Sequence, residues 1–121
     1  TAEPLMPSPL AAILIGAVGG LIVVYGTKFL FKMKIDDVVG AIPAHLFAGI
    51  WGTLAVPITN PDTSFGTQLL GVISINAFVF VVAYIVWSIM KATVGIRLSK
   101  EGETKGTDVT ETGVIAYAIR D

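Results

Sequence analysis

The chain has 121 residues, 54% of them hydrophobic and 14% charged, with a mean hydropathy of +0.79 and a formal net charge of -1. Soluble domains carry about 25% charged residues, so an ordinary soluble globule is excluded, and the charge balance offers no basic footprint for nucleic acid. Cysteine is absent and one histidine is present, which excludes disulfide scaffolds, thiol chemistry and cysteine-built metal centres; no metal and no cofactor are expected.

Charge is segregated: seven of the seventeen Asp, Glu, Lys and Arg residues fall in 1–90 and ten in the last 31 positions. Three uncharged stretches, 4–27, 38–61 and 63–90, each reach the roughly 20 residues that cross a hydrocarbon core of about 30 Å. In lipid a backbone must satisfy its own hydrogen bonds, and the alternating strands of a barrel are not visible. The expected fold class is all-α, a polytopic membrane helical bundle, with helices over about 8–30, 37–57 and 66–94 and a tail over 95–121.

The chain opens at Thr1 with no basic segment before its first apolar run, so a cleavable signal peptide is not expected and the start reads as the middle of a longer chain. On the first helix Ala12, Gly16 and Gly20 recur every fourth residue, a small face that lets another helix approach. Gly19-Gly20 is no phosphate loop, because it lies inside an apolar span and lacks the lysine such loops need. Lys28, Lys32 and Lys34 follow.

Asp36 and Asp37 directly precede the second run, where a carboxylate can accept orphan N–H bonds at the positive end of the helix dipole; both are expected caps. Gly40, Ala44, Ala48 and Gly52 form a second four-spaced stripe, and two such faces ask for more partner helices than three spans provide. Pro43 lacks an N–H and leaves the Val39 carbonyl without its usual partner, which predicts a kink just before His45.

His45 is the only ionisable side chain inside any span. Eight residues past Asp37, it is expected about 12 Å along the helix, near the midplane. The default reading of an intramembrane ionisable residue is a polar pathway or proton relay. Ala41 and Gly49, one turn to either side, leave space for a small solute or another helix. A neutral imidazole has one donor and one acceptor nitrogen, so a string of such rings can pass a proton or hold an amine-sized solute; one ring alone cannot. The alternative is a histidine that hydrogen-bonds a neighbouring helix as structural glue, worth about 1 kcal/mol.

Pro57, Asn60, Pro61 and Asp62 stop the second helix and form a loop. The third helix has no small stripe and is rich in Val, Ile and Phe, so it is expected to be the most lipid-exposed. Its Ser74, Asn76 and Ser88 read as bonds to neighbouring helices, and Trp51 and Trp87 as packing or interface anchors. Gly95 is the expected stop. Beyond it, 100–105 alternates charges around Gly102, as in a solvated turn or short helix start, while 114–119 is apolar enough to need a surface.

All eight Lys and Arg residues lie between the first and second helices or after the third, and 59–67 has none. By the positive-inside rule the N-terminus and 59–67 face outward, and the first loop and the tail are cytoplasmic. With no acid pair, no reactive Ser–His arrangement and no metal set, an enzyme is not expected.

The run Ile35-Asp36-Asp37-Val38-Val39-Gly40-Ala41-Ile42-Pro43-Ala44-His45, then Ala48-Gly49-Ile50-Trp51-Gly52-Thr53-Leu54, resembles the tenth-helix signature of the Amt/MEP family of ammonium transporters. Ser8-Pro9-Leu10 and the Gly-rich helix after it are similar to the ninth span, 67–93 to the eleventh, and 95–117 to the cytoplasmic tail. The resemblance implies the last three helices of an eleven-helix protomer, a homotrimer, and one hydrophobic pore per subunit that conducts ammonium, ammonia or the methylammonium analogue. Two facing histidines line that pore in the family, and His45 would be the second, with Ala41 and Gly49 beside it. The first, with the aromatic gate and outer recruitment site, would come from the remaining helices, so this chain alone would not conduct.

Leu46 stands where family members commonly have Gly. Thr107-Asp108-Val109-Thr110-Glu111-Thr112-Gly113, followed by Ala116-Tyr117, is similar to the family's Leu-Asp-x-Ser-Glu-His-Gly-Glu segment, with Thr107, Thr112 and Val114 as departures. Gly95, Gly106, Asp108, Gly113 and Tyr117 would belong to a regulatory tail that contacts a neighbouring subunit or a PII-type protein. A competing reading is a small helical membrane module that assembles with partner helices and presents a regulatory tail.

Overall fold

The computed structural model describes residues 3–116. They contain α1 (Pro9–Lys32), a π-helical segment (Ile42–Phe47) that runs into α2 (Ala48–Thr59), α3 (Phe65–Thr93), α4 (Lys100–Lys105) and α5 (Thr107–Thr112), and no strand among the described residues. The all-α membrane fold class is the one the chain adopts: Pro9–Lys32, Ile42–Thr59 and Phe65–Thr93 are each long and apolar enough to span a bilayer. The chain forms two compact units, Thr1–Phe78 and Val79–Asp121.

α1 begins where the sequence stops it from beginning earlier. Ser8 is extended, its Oγ accepts from the Ala11 N–H at 3.3 Å, and Pro9 takes the first helical position, where its missing N–H would have had no partner. At the other end Lys34 adopts φ 57; its N–H meets Phe31 O at 3.1 Å and the Ile35 N–H meets Leu30 O at 3.0 Å. This is a Schellman closure with lysine in the position usually held by glycine.

The second span begins later than the paired aspartates suggest. Gly40, at φ +68, turns the chain ahead of the helix, and Asp37 reaches past it, with Oδ1 accepting from the Ala41 N–H and Oδ2 from the Ile42 N–H, each at 2.8 Å. Three expectations change with this start. Among the described residues Asp36 makes no such bond; Gly40 lies outside the small helical stripe; and Pro43 sits in the first turn, where its missing N–H breaks no established ladder. The turn widens there, with the Ala48 N–H bonding Pro43 O in the five-residue spacing of a π-helix.

α1 packs on this second span through Ala11, Ile15, Gly19, Ile22, Gly26 and Leu30, whose three- and four-residue spacing marks one helix face and which are shielded relative to their neighbours. Gly26 is the closest approach: a Cβ there would stand 2.8 Å from Phe47 Cδ2 and 3.0 Å from Pro43 Cβ. Trp51 Nε1 donates to Ile15 O at 3.0 Å, and Leu30, Pro43, Ala55 and Val56 are buried around this seam. Gly16 and Gly20 lie on the adjacent face, where an added Cβ meets nothing within 4 Å.

In α3, Ser64 Oγ accepts from the Thr67 N–H at 3.1 Å as the cap, and no Cα of residues 65–78 comes within 8 Å of a Cα in α1, the π segment or α2. No residue of α3 is buried. Asn60 Nδ2 donates to Glu3 Oε2 at 3.0 Å, tying the start of the chain to the loop before α3.

The second unit ends α3 at Gly95, φ +79, and carries the two short tail helices. Ser99 Oγ caps α4 by accepting from the Gly102 N–H at 3.1 Å, Gly106 turns the chain at φ +103, and Gly113 ends α5 in the left-handed conformation. Thr110 Oγ1 donates to Gly102 O at 3.2 Å, joining the two helices.

Candidate functional site

Because the span opens at Ile42, His45 stands in its first turn, not two turns in as counted from Asp37. Its imidazole faces a cleft of about 290 Å³ inside the first unit. One wall carries His45, Gly49 and Thr53, four residues apart along the same side of the helix; the other carries Gln68, Gly71 and Asn76 of α3. The two glycines leave the room.

The polar groups are unequally committed. Thr53 Oγ1 donates to Gly49 O at 3.0 Å and Asn76 Nδ2 to Val72 O at 2.8 Å, bonds within their own helices that leave the Asn76 carbonyl oxygen for another partner. His45 and Gln68 make no side-chain hydrogen bond among the described residues. One imidazole and three uncharged polar side chains around a void can hold a small hydrogen-bonding solute without a counter-charge.

Ala41 does not line this cleft; its N–H is engaged by Asp37. Leu46, beside His45, does line it. Thr53, Gln68 and Asn76 were not singled out as cleft residues from sequence. The available signal was spacing: Thr53 is eight residues past His45, and Gln68, Val72 and Asn76 recur every fourth residue.

A second cavity, about 300 Å³, opens between α1 and α2 near Asn60 and gathers Glu3, Ala12, Gly16, Gly52 and Thr59. The small residues there border a space and do not seal a contact. Thr59 Oγ1 is buried without a hydrogen-bond partner among the described residues. Of the remaining stripe positions, Ala44 and Gly20 are exposed and Ala48 is partly covered.

In the tail, Gly95, Gly106 and Gly113 are the three turning points, and Tyr117 lies outside the described residues. Asp108 Oδ2 accepts from the Ala116 N–H at 2.7 Å; this bond, then that from Val109, holds its carboxyl below the usual value. Arg97 pairs with Glu103 through two bonds, Nε to Oε1 at 2.5 Å and Nη2 to Oε2 at 3.2 Å. The shared hydrogen bond lowers the Glu103 pKa and raises that of Arg97.

Three helices long and apolar enough to cross a bilayer, two of them closely packed, define a multi-pass helical membrane protein. Residues 1–117 match the Ammonium Transporter Family, and the chain belongs to it. It is 35% identical over 130 residues to the ammonium transporter Amt2 of Archaeoglobus fulgidus, covering 90% of this chain and 28% of that protein. The ammonium transporter Amt1 of the same organism is 34% identical, over 88% of this chain and 30% of that protein. Amt1 of Haloferax mediterranei is 34% identical, over 87% and 21% respectively. The chain thus spans less than a third of the length of these relatives, all of them named as transporters and not as enzymes.

Proposed function

We propose that the complete protein conducts ammonium or ammonia across a membrane through a narrow apolar pore, and that His45 is one of a pair of imidazoles the solute passes. The observation that carries this reading is the position of His45: the one histidine of the chain lines a void whose other lining residues are glycine, apolar side chains and the uncharged polar groups of Thr53, Gln68 and Asn76. Stripping water from a cation in an apolar passage is costly, and a ring that can both donate and accept hydrogen bonds offsets part of that cost as the solute sheds or regains a proton. The family membership supports the substrate class.

The remaining helices would supply the second ring and the partners for the exposed faces. The lysine distribution supports an outward N-terminus, with the tail, 95–121, cytoplasmic and the membrane body over 1–94. A homotrimer, with the tail meeting a neighbouring subunit or a PII-type protein through the segment that holds Gly95, Gly106, Asp108, Gly113 and Tyr117, completes the proposal.

His45→Ala in the complete protein tests it. Methylammonium uptake or its charge coupling should change by about a hundredfold or more, the scale at which proton-transfer groups act, with trimer yield unchanged. Normal flux with lost assembly would instead make His45 interhelical glue.

A further inference from the structure

The turn that bears His45 is held from two sides. Ahead of it, both carboxylate oxygens of Asp37 are occupied by the N–H groups of Ala41 and Ile42, which open the span. Such charge-assisted bonds are strong, and the helix dipole adds to them. Two residues to either side of His45, Pro43 and Phe47 press on α1 at Gly26, where there is no room for a Cβ.

A π turn is rare and sits as a single widened turn within an α-helix, so its surroundings must hold it open. Relaxation to an α turn would take up one residue, about 100° of rotation, and carry His45 out of line with Gly49 and Thr53. Phe47 and Pro43 fix the side of the turn that meets α1. Asp37 fixes where the turn starts.

We infer that Asp37 is a positioning residue for His45: its double hydrogen bond sets the start of the π turn and so aims the imidazole into the cleft, a task in which the adjacent Asp36 takes no part. This rests on the reading that solute passes His45. It goes beyond capping, because a cap alone would stabilise the helix without regard to which way the ring faces.

The test uses the complete protein in vesicles and measures methylammonium uptake across a pH series for Asp37→Ala, Asp36→Ala, His45→Ala and the Asp37→Ala/His45→Ala pair. Asp37→Ala should lower uptake by about tenfold to a hundredfold, the scale of loss when a functional group is displaced by about 1 Å, and should shift the pH profile. Asp36→Ala should leave both unchanged. On the His45→Ala background the Asp37 substitution should have no further effect. Asp37→Asn keeps one acceptor oxygen, should fall between, and replaces the alanine variant if that does not reach the membrane.

Imidazole nitrogen resonances of His45, identified by their loss in His45→Ala, give a readout independent of flux: they should move in the Asp37 variant and stay in the Asp36 variant. Unmoved resonances, or a loss of uptake equal with and without His45, would overturn the inference and leave the transport reading standing. Unchanged uptake and pH profile in His45→Ala would overturn the transport reading itself.

Discussion

The α1–α2 pair and the tail of this chain are held by opposite chemistry. Between α1 and the second span the decisive contact is a missing side chain, Gly26, against the Phe47 ring and the Pro43 ring, with one hydrogen bond from Trp51 across the seam. From Arg97 to Ala116 the structure rests on oxygen atoms: Ser99, Asp108, Thr110 and Glu103 each tie down a backbone N–H, a carbonyl or a guanidinium. Where there is no water to expel, association depends on how closely backbones approach. Helices of six residues are too short to persist unaided, so the tail depends on its caps and pairs.

The largest break in this contrast is expected at Gly26. Gly26→Ala puts a methyl group 2.8 Å from a ring carbon and 3.0 Å from Pro43 Cβ, and overpacking of this kind costs about 1–3 kcal/mol. Thermal unfolding of the complete protein in detergent should show the loss. Gly20→Ala, on the adjacent face, meets open space within the pair and should gain about 0.5–1 kcal/mol from the reduced freedom of the unfolded chain. A loss at Gly20 as large as that at Gly26 would reveal a further helix seated there.

The corresponding break in the tail is Gly106→Ala. Its φ of +103 is strained for any residue with a Cβ, and that Cβ would lie 2.7 Å from Asp108 Oδ1. The backbone term alone costs about 1–3 kcal/mol, and the carboxylate must also move off the Ala116 N–H. Hydrogen-exchange protection of the Ala116 amide should fall, while the α1–α2 pair keeps its unfolding midpoint. If both change together, the two regions are not independent.

The spans were legible because lipid demands long uncharged runs, and the sequence places its charges outside them; Pro9–Lys32 and Phe65–Thr93 lie within a residue or two of the expected helices. The start of the second helix was not legible, because a carboxylate reads as a cap wherever it precedes an apolar run. Only the backbone reveals that Gly40 turns first and that Asp37 reaches across it. The face by which α1 meets the second span was not singled out from sequence. Four-residue spacing picked out Gly16 and Gly20, whereas Gly19 and Gly26, seven apart, are the glycines that face Trp51 and Phe47. Two full turns is an equally good helical repeat, and sequence alone cannot choose between faces when both carry glycine. His45 stood out in the sequence by residue type; the residues opposite it in the cleft required the position of α3.

The smallest expected effect separates the regions by pH. Asp108 is held below its ordinary value of 3.8 by the backbone N–H groups of Ala116 and Val109, and Glu103 below 4.5 by its hydrogen bond with Arg97. A carboxyl whose pKa is lower in the folded tail than in the unfolded one favours the fold while it is charged. That stabilisation is complete above the ordinary values and is lost as the pH falls through the lowered ones. Both groups are exposed, so the loss is modest, and salt screens the Arg97–Glu103 part more than the short-range backbone bond to Asp108. Protection of the Ala116 amide should therefore decline on acidification below the ordinary carboxylate range at low and at high salt, and Asp108→Asn should abolish that decline. Phe47 and Pro43, which meet Gly26, carry no titrating group and the nearest carboxylate on their turn is Asp37, so Asp108→Asn should leave protection along α1 unchanged at every pH; a change there in step with Ala116 would mean that the tail's carboxylate supports the membrane helices as well.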